Sequence, residues 1–171
     1  MIRDEPVGIV GFLYNSKRNT GVLLDFAIRP HARRICHKGK RLAHFCLNLA
    51  MQQLILDAQE RGRTAPLCMI AEVEYDHLVW RYVEYGFVVL PFEYFEPPTT
   101  PELREASYVT ENLDKMDYER MYLGAFQIPG HPFNPEDPGV LKSILFTLLK
   151  DHYHLPDEHW LVRKMLQDIL E

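Results

Sequence analysis

Long apolar runs and cysteines are both scarce in this sequence. No stretch approaches the ~20 apolar residues of a membrane-spanning helix, and the N-terminus lacks the apolar core of a signal peptide. The three cysteines, Cys36, Cys46 and Cys68, are odd in number and show no C-x-x-C spacing. This usage fits free thiols in a reducing compartment, so we expect a cytoplasmic protein.

Positive charge is not in surplus either. The chain has 19 lysines and arginines against 24 aspartates and glutamates, which gives a net charge of −5. A general nucleic-acid binder carries a basic surplus, so this balance argues against that class while leaving room for one local basic patch. Of the 171 residues, 47% are hydrophobic. That content is typical of a globular protein and is enough for one full core.

The first half of the sequence predicts a β-hairpin followed by a β-α-β crossover. Val7–Tyr14 and Gly21–Ile28 are rich in β-branched and aromatic residues and flank a polar turn. From Leu42 to Arg61 apolar residues recur at helical spacing, and Pro66–Val73 follows as an apolar strand. A strand, a helix and a strand in this order predict a right-handed crossover between two parallel strands.

The second half predicts shorter elements and a helical C-terminus. We expect a core in residues 1–126 and a C-terminal loop with two helices, packed on that core, in residues 127–171. A proline-rich break at Pro97–Pro101 interrupts the pattern between two strands. The predicted elements are a helix over Asp76–Tyr85, strands over Phe87–Phe95 and Tyr118–Phe126, and helices over Gly139–Tyr153 and Asp157–Leu170.

The passage into the long helix predicts a phosphate site. A basic loop, His31–Arg41, surrounds Gly39 and leads into the helix at Leu42. Unpaired backbone N–H groups at a helix N-terminus lie at the positive end of the helix dipole and can bind an anion directly. Basic loops are common in α/β crossovers, so an ordinary connection also explains the pattern. The cations of the loop are Arg33, Arg34, Lys38, Lys40 and Arg41.

Three segments, in their order along the chain, resemble the core of the GCN5-related N-acyltransferases, the GNAT family. They are Lys38-Gly39-Lys40-Arg41-Leu42-Ala43, Ala71-Glu72-Val73 and Tyr82-Val83-Glu84-Tyr85-Gly86-Phe87. The resemblance implies a GNAT-like α/β fold with a central mixed sheet and flanking helices. It also implies an enzyme that uses acetyl-CoA or another acyl-CoA to acylate a primary amine of a small molecule or peptide.

Two departures from the family pattern leave a second function open. Arg41 occupies the place of the first glycine of the family's phosphate-binding motif, and the loop before Lys38 is longer than usual. Because arginine pairs bidentately with phosphate oxygens, Arg41 either contacts the cofactor or blocks its groove. The strand and two helices with which family members usually begin are not found before the hairpin. The alternative is a non-catalytic acyl-CoA-binding or assembly module with a degenerate GNAT fold.

The resemblance also implies roles for individual residues. Backbone groups of Phe26, Ala27 and Ile28 match the strand that holds the pantetheine and the thioester carbonyl. Tyr82 matches the tyrosine that protonates the departing thiolate, although its ring would also suit the core. The residues that match the pyrophosphate-binding motif are Lys38, Gly39, Lys40, Arg41, Leu42 and Ala43.

Two carboxylates are candidates for the base that deprotonates the amine. Glu72 ends the strand after the long helix, where parallel strands splay, and Asp25 lies on the preceding strand. A carboxylate in an apolar strand is costly to bury unless it is paired, so each is either catalytic or bridged to an arginine. In an extended chain Glu72, Glu74 and Asp76 share one face. They form either an acidic mouth for a cationic acceptor or a solvated strand end.

No metal, nucleic acid or membrane partner is expected. His152, His154 and His159 lie among carboxylates, but their spacing fits no standard metal motif. The first strand is apolar throughout, and the two C-terminal helices carry apolar faces that need a covering surface. From these uncovered surfaces we predict a homodimer.

Overall fold

The structure is a computed structural model that describes residues 5–97 and 118–170. Its strands are Gly8–Asn15 (β1), Thr20–Ile28 (β2), Cys36–His37 (β3), Lys40–Arg41 (β4), Cys68–Val73 (β5), Phe87–Val89 (β6), Tyr94–Glu96 (β7) and Glu119–Gln127 (β8). Its α-helices are Leu42–Glu60 (α1), Asp76–Val83 (α2), Pro138–Phe146 (α3) and Trp160–Leu170 (α4).

The central sheet has the strand order β1-β2-β5-β8-β6, and β7 pairs with another part of β8. β1 and β2 form an antiparallel hairpin, whereas β2 and β5 run parallel and are joined through α1. The strands β5, β6 and β7 all pair antiparallel with β8. The predicted hairpin, the parallel crossover and the α/β fold with a central mixed sheet are therefore confirmed.

Helices cover both faces of this sheet, because successive side chains of a strand point to opposite faces. On β5, Met69 and Ala71 pack in one core with Leu47 and Leu54 of α1. Ile70 lies in the core on the other face, which the C-terminal helices fill. The helical residues buried there include Leu141, Ile144, Leu145, Leu148, Leu149, Leu161 and Met165.

Two predicted elements are interrupted in the structure. The predicted strand Phe87–Phe95 is divided into β6 and β7, because the intervening segment contains Pro91, which has no N–H to give to a strand partner. The predicted helix Gly139–Tyr153 begins as α3 and continues as a π-helix over Thr147–His152. There the buried Thr147 hydroxyl donates to the carbonyl of Ser143 and lies 2.8 Å from the Thr20 hydroxyl of β2.

Three expectations keep their standing as predictions. A homodimer is one of them: the C-terminal helices cover the sheet within the same chain, and the outer edge of β1, where Ile9 is 63% exposed, is the feature that still favours pairing. The boundary at residue 126 is another. The break at Pro97–Pro101 is the third, since only Pro97 lies within the described residues. Across those residues, no helix has both the length and the apolar character to cross a membrane.

Candidate active site

β2 and β5 separate soon after their pairing begins. They are paired only at Gly21–Met69 and Val22–Ile70. Immediately afterwards β2 shifts register against β1 at a bulge that leaves Leu24 without a partner. A bulge bends its strand and increases the local twist. Beyond it the two parallel strands enclose a cleft of about 430 Å³.

The cleft brings together the catalytic residues predicted from the sequence. Asp25 and Phe26 line it from β2, Glu72 lines it from β5, and Tyr82 lines it from α2. Asp25 and Glu72 were the two predicted candidates for the base, and Tyr82 was the predicted acid. Their convergence at one cleft follows from the splayed strands and from α2, which begins just after β5 and packs against β5 and β6. The Tyr82 ring of α2 lies 6.3 Å from the Phe26 ring of β2.

Glu72 is the most perturbed carboxylate of the cleft. Its side chain is half-buried, and its two oxygens accept hydrogen bonds from the hydroxyls of Tyr94 and Tyr153, the latter at 2.9 Å. The pKa of Glu72 is raised to about 7, mainly by burial. The hydrogen bonds from the two hydroxyls lower it in part, and the charge of Glu96 contributes to the rise. Glu72 therefore changes protonation near neutral pH, which is the range that suits a general base.

The other carboxylates are more exposed than Glu72. Asp25 and Glu74 line the cleft and are exposed. The charge of Glu74 is the main cause of a raised pKa at Glu119. Asp76, at the start of α2, accepts a hydrogen bond from the Tyr122 hydroxyl at 2.8 Å. Of the predicted acidic run, Glu72 and Glu74 therefore line the cleft.

Tyr82 lies both in the aromatic core and at the cleft. Its ring packs against Phe26, Phe87 and Phe126, with centroids 6.3, 5.7 and 5.4 Å away. The same side chain lines the cleft. Burial raises the pKa of Tyr82, so the hydroxyl keeps its proton at neutral pH. The ring contacts therefore hold a protonated tyrosine at the cleft.

The backbone of β2 presents hydrogen-bonding groups to the cleft. The N–H of Arg29 donates to Val7 on the β1 side, at 2.9 Å. Backbone groups alternate in direction along a strand, so those of Ala27 also face β1, while those of Phe26 and Ile28 face away from it. The Ile28 carbonyl agrees with this alternation, because it accepts from the Arg33 guanidinium instead of from β1. Two of the three backbone positions predicted to hold pantetheine therefore face the open side.

The predicted phosphate loop forms the β3–β4 hairpin in front of α1. Lys38 and Gly39 both have positive φ, of 49° and 75°, as a type I′ two-residue turn requires. Arg41 is the N-cap of α1, and its side chain makes no capping hydrogen bond. Leu42 donates its N–H to the Ile35 carbonyl at 2.9 Å. Exposed cations precede the first turn of α1, and that turn contains no acidic residue.

An aromatic contact links the start of α1 to the end of α2. The ring of His44, in the first turn of α1, lies 5.5 Å from the ring of Tyr85. Tyr85 follows α2 by two residues, and Tyr82 precedes it by one helical turn. The predicted cofactor residues Lys40 and Ala43 lie at this start of α1, and their role stays a prediction.

Several residues of the site were missed in the sequence. Tyr94 and Tyr153, which hold Glu72, and Glu96, which contacts Tyr153, lie far from it along the chain. The high cost of burying a carboxylate predicts that Glu72 has donors. Nothing in the sequence selects these two among nine tyrosines.

The histidines of the C-terminal region do not assemble a metal site in the described part of the chain, where no group of three potential metal ligands occurs. His159 is buried, and its Nδ1 accepts the backbone N–H of Leu161 at 3.2 Å. His152 packs its ring against Tyr153. These contacts give both histidines a place in the packing of the C-terminal helices.

Comparisons with known proteins return little. No family model and no curated protein matches the chain. One solved structure is similar, that of "Putative acetyltransferase from GNAT family from Bacteroides thetaiotaomicron". The likeness covers 90% of this chain and 69% of that one, with a TM-score of 0.48 and 16% identity. A likeness this distant assigns no activity to the present chain.

Proposed function

We propose that this protein is an acyl-CoA-dependent N-acyltransferase that moves an acetyl or other short acyl group from CoA to a primary amine. The observation that carries the proposal is Glu72: a half-buried carboxylate with a pKa near neutral, in a cleft that also holds a tyrosine hydroxyl. Attack of an amine on a thioester needs a base for the amine and a proton for the thiolate that leaves. Glu72 and Tyr82 are suited to these two tasks.

Glu72 takes the base role in this proposal and Asp25 does not. A base must compete for the proton of an ammonium group, so a carboxylate with a pKa near 7 is far more effective than one with an ordinary value. Burial raises the pKa of Glu72 in this way. The side chain of Asp25 is exposed to solvent. Asp25 and Glu74 instead favour the approach of a cationic acceptor.

The acyl-CoA occupies the open side of β2 and the surface beyond it. The outward-facing backbone groups of Phe26 and the N–H of Ile28 bind the pantetheine, and their N–H groups polarise the thioester carbonyl, which is the role of an oxyanion hole. The basic hairpin Cys36–Arg41 and the start of α1 bind the phosphates. Arg41 contributes a guanidinium at this point instead of the close backbone approach that glycine allows.

The test is turnover with acetyl-CoA and a panel of primary amines, followed by mass detection of the acylated product. We expect Glu72→Gln to lower kcat by about 10²–10⁴-fold, the range of general acid–base catalysis. Glu136→Gln is the matched control, because Glu136 is an exposed loop residue away from the cleft. Equal rates in both variants would remove Glu72 from the chemistry.

Ligand binding separates this proposal from the non-catalytic alternative. A ligand that binds only the native state raises the melting temperature by mass action, so CoA, acetyl-CoA and ATP can be compared in one thermal-shift titration. Stabilisation by CoA and acetyl-CoA with no turnover on any amine would favour the binding or assembly module. Stabilisation by none of them would overturn both.

A further inference from the structure

The C-terminal segment contributes a side chain to the cleft. The Tyr153 hydroxyl lies 2.9 Å from one oxygen of Glu72 and 3.1 Å from one oxygen of Glu96. Tyr153 comes directly after the π-helix, is only 9% exposed, and has its backbone N–H bonded to the Leu148 carbonyl at 2.8 Å. Its hydroxyl is therefore held between two carboxyl groups by the packing of a segment that plays no part in the crossover.

One hydroxyl carries only one proton, so it cannot donate to two carboxylates at once. It can donate to one carboxylate and accept from the other if that second group is protonated. Once Glu72 has taken a proton from the amine, Glu72, Tyr153 and Glu96 share two protons along a chain of hydrogen bonds. Both ends of the chain are half-buried, with Glu72 at the cleft and Glu96 on β7.

We propose that Tyr153 is a positioning residue that holds Glu72 for catalysis and passes the proton taken from the amine on to Glu96. The proposal rests on the acyltransferase function argued above. Glu72 takes the proton of the amine, and the O–H of Tyr153 turns from Glu72 to the Glu96 carboxylate. The protonated Glu72 then donates to the oxygen of Tyr153, while Tyr153 releases its own proton to Glu96. Glu72 is again a carboxylate, Tyr153 is again neutral, and Glu96 loses the proton to water.

The surroundings of Glu72 define which titrations can influence it. Tyr94 and Glu96 face it from β7, and Tyr153 faces it from the C-terminal segment, with the His152 ring packed against Tyr153. Across the cleft lie Asp25 on β2, Tyr82 on α2 and Glu74 after β5. On β8, Glu119 lies against Glu96 and Glu74. Burial and the adjacent carboxylates raise the pKa of both Tyr94 and Tyr153, so these tyrosines stay neutral throughout the working range.

Two substitutions are expected to act on Glu72 in opposite directions. Tyr153→Phe removes a hydrogen bond that stabilises the carboxylate, so the pKa of Glu72 should rise by about half to one pH unit. Glu96→Gln removes a neighbouring negative charge and keeps the size of the side chain, so the pKa of Glu72 should fall by a similar amount. Tyr14→Phe is the matched control, because its hydroxyl bonds to Asn19 at the far end of the hairpin.

The experiment titrates the ¹³C-labelled glutamate carboxyls by NMR in wild type and the three variants, and it measures the pH dependence of kcat/KM in parallel. We expect the Glu72 titration and the acidic limb of the rate profile to move together, upward in Tyr153→Phe and downward in Glu96→Gln. In Tyr153→Phe kcat should fall about tenfold at the optimal pH. Small buffer bases such as imidazole should restore part of it, because they replace the lost proton acceptor.

Each outcome decides one part of the proposal. A Glu72 titration that is unchanged in both variants would overturn the positioning role. Shifts without a loss of kcat, or a loss that no buffer restores, would overturn the proton transfer through Tyr153. Wild-type protein that acylates no amine would overturn the proposed function, and the NMR titrations would still show whether Tyr153 and Glu96 control Glu72.

Discussion

The two ends of the parallel strand pair β2 and β5 differ in burial and polarity. At the paired end Gly21 and Val22 are buried, and a Cβ on Gly21 would come within 2.4 Å of the Leu54 side chain. At the splayed end the same two strands carry Asp25 and Glu72 beside a cleft. At the paired end, apolar side chains pack together. At the splayed end, carboxylates and backbone groups that would otherwise bond within the sheet are open to the cleft.

The difference shows how one pair of strands can supply both stability and chemistry. The paired end fixes the direction of β2 and β5, and the bulge at Leu24 makes them diverge. Burying a carboxylate costs free energy, and in this site that cost also raises the pKa that makes Glu72 useful. We therefore expect substitutions at the paired end to change stability and substitutions at the splayed end to change activity.

The largest expected effect is on the paired end. Leu54→Ala should lower the free energy of unfolding by about 2–5 kcal/mol, because it removes a fully buried side chain next to Gly21 and leaves a cavity. Leu49→Ala on the same helix is the control, since Leu49 is 62% exposed. Chemical denaturation measures both. A loss in Leu54→Ala no greater than in Leu49→Ala would show that this end does not anchor the fold.

At the splayed end, Tyr82→Phe should lower kcat by roughly ten- to a thousandfold and leave CoA affinity nearly unchanged. The substitution removes the proton donor and keeps the ring that packs against Phe26, Phe87 and Phe126. Steady-state kinetics and calorimetry with CoA give the two quantities. An unaffected kcat would leave Tyr82 with a packing role only.

Glu72→Gln should stabilise the protein in a pH-dependent way. Folding raises the pKa of Glu72 from 4.5 to about 7, so between these values the native state binds more protons than the unfolded state. Stability from this group is complete below pH 4.5 and is lost as pH rises to 7. At about 1.4 kcal/mol per pKa unit, the variant should gain about 3–4 kcal/mol at pH 8 and nothing at pH 4. Denaturation midpoints that change equally at both pH values would contradict this.

The smallest expected effect concerns the basic hairpin Cys36–Arg41. CoA should bind severalfold more tightly than dephospho-CoA, and its affinity should weaken with salt, because Lys38, Lys40 and Arg41 are exposed cations at a helix N-terminus. Calorimetry at two ionic strengths measures the difference. Equal affinities that do not depend on salt would exclude an electrostatic role for the hairpin.

Much of this arrangement could be predicted from local patterns in the sequence. Alternating and helical spacing identified the hairpin, α1 and β5, and the divergence of parallel strands placed Glu72 at a cleft. The sequence pattern predicted one strand over Phe87–Phe95, although Pro91 cannot donate a backbone hydrogen bond and divides it. The contacts of Tyr94, Tyr153 and Glu96 could not be predicted. These residues lie far apart in the sequence, and they meet only because β7 pairs with β8 and the C-terminal helices pack on the sheet.

The most direct test of Glu72 as the general base is the pH dependence of kcat/KM in wild type and Glu72→Gln. We expect the wild-type rate to fall below an apparent pKa near 7, where Glu72 becomes protonated, and we expect Glu72→Gln to lose that acidic limb along with most of its activity. Asp25→Asn should keep the limb. A wild-type acidic limb that survives unchanged in Glu72→Gln would contradict the account, because another group would then be the base.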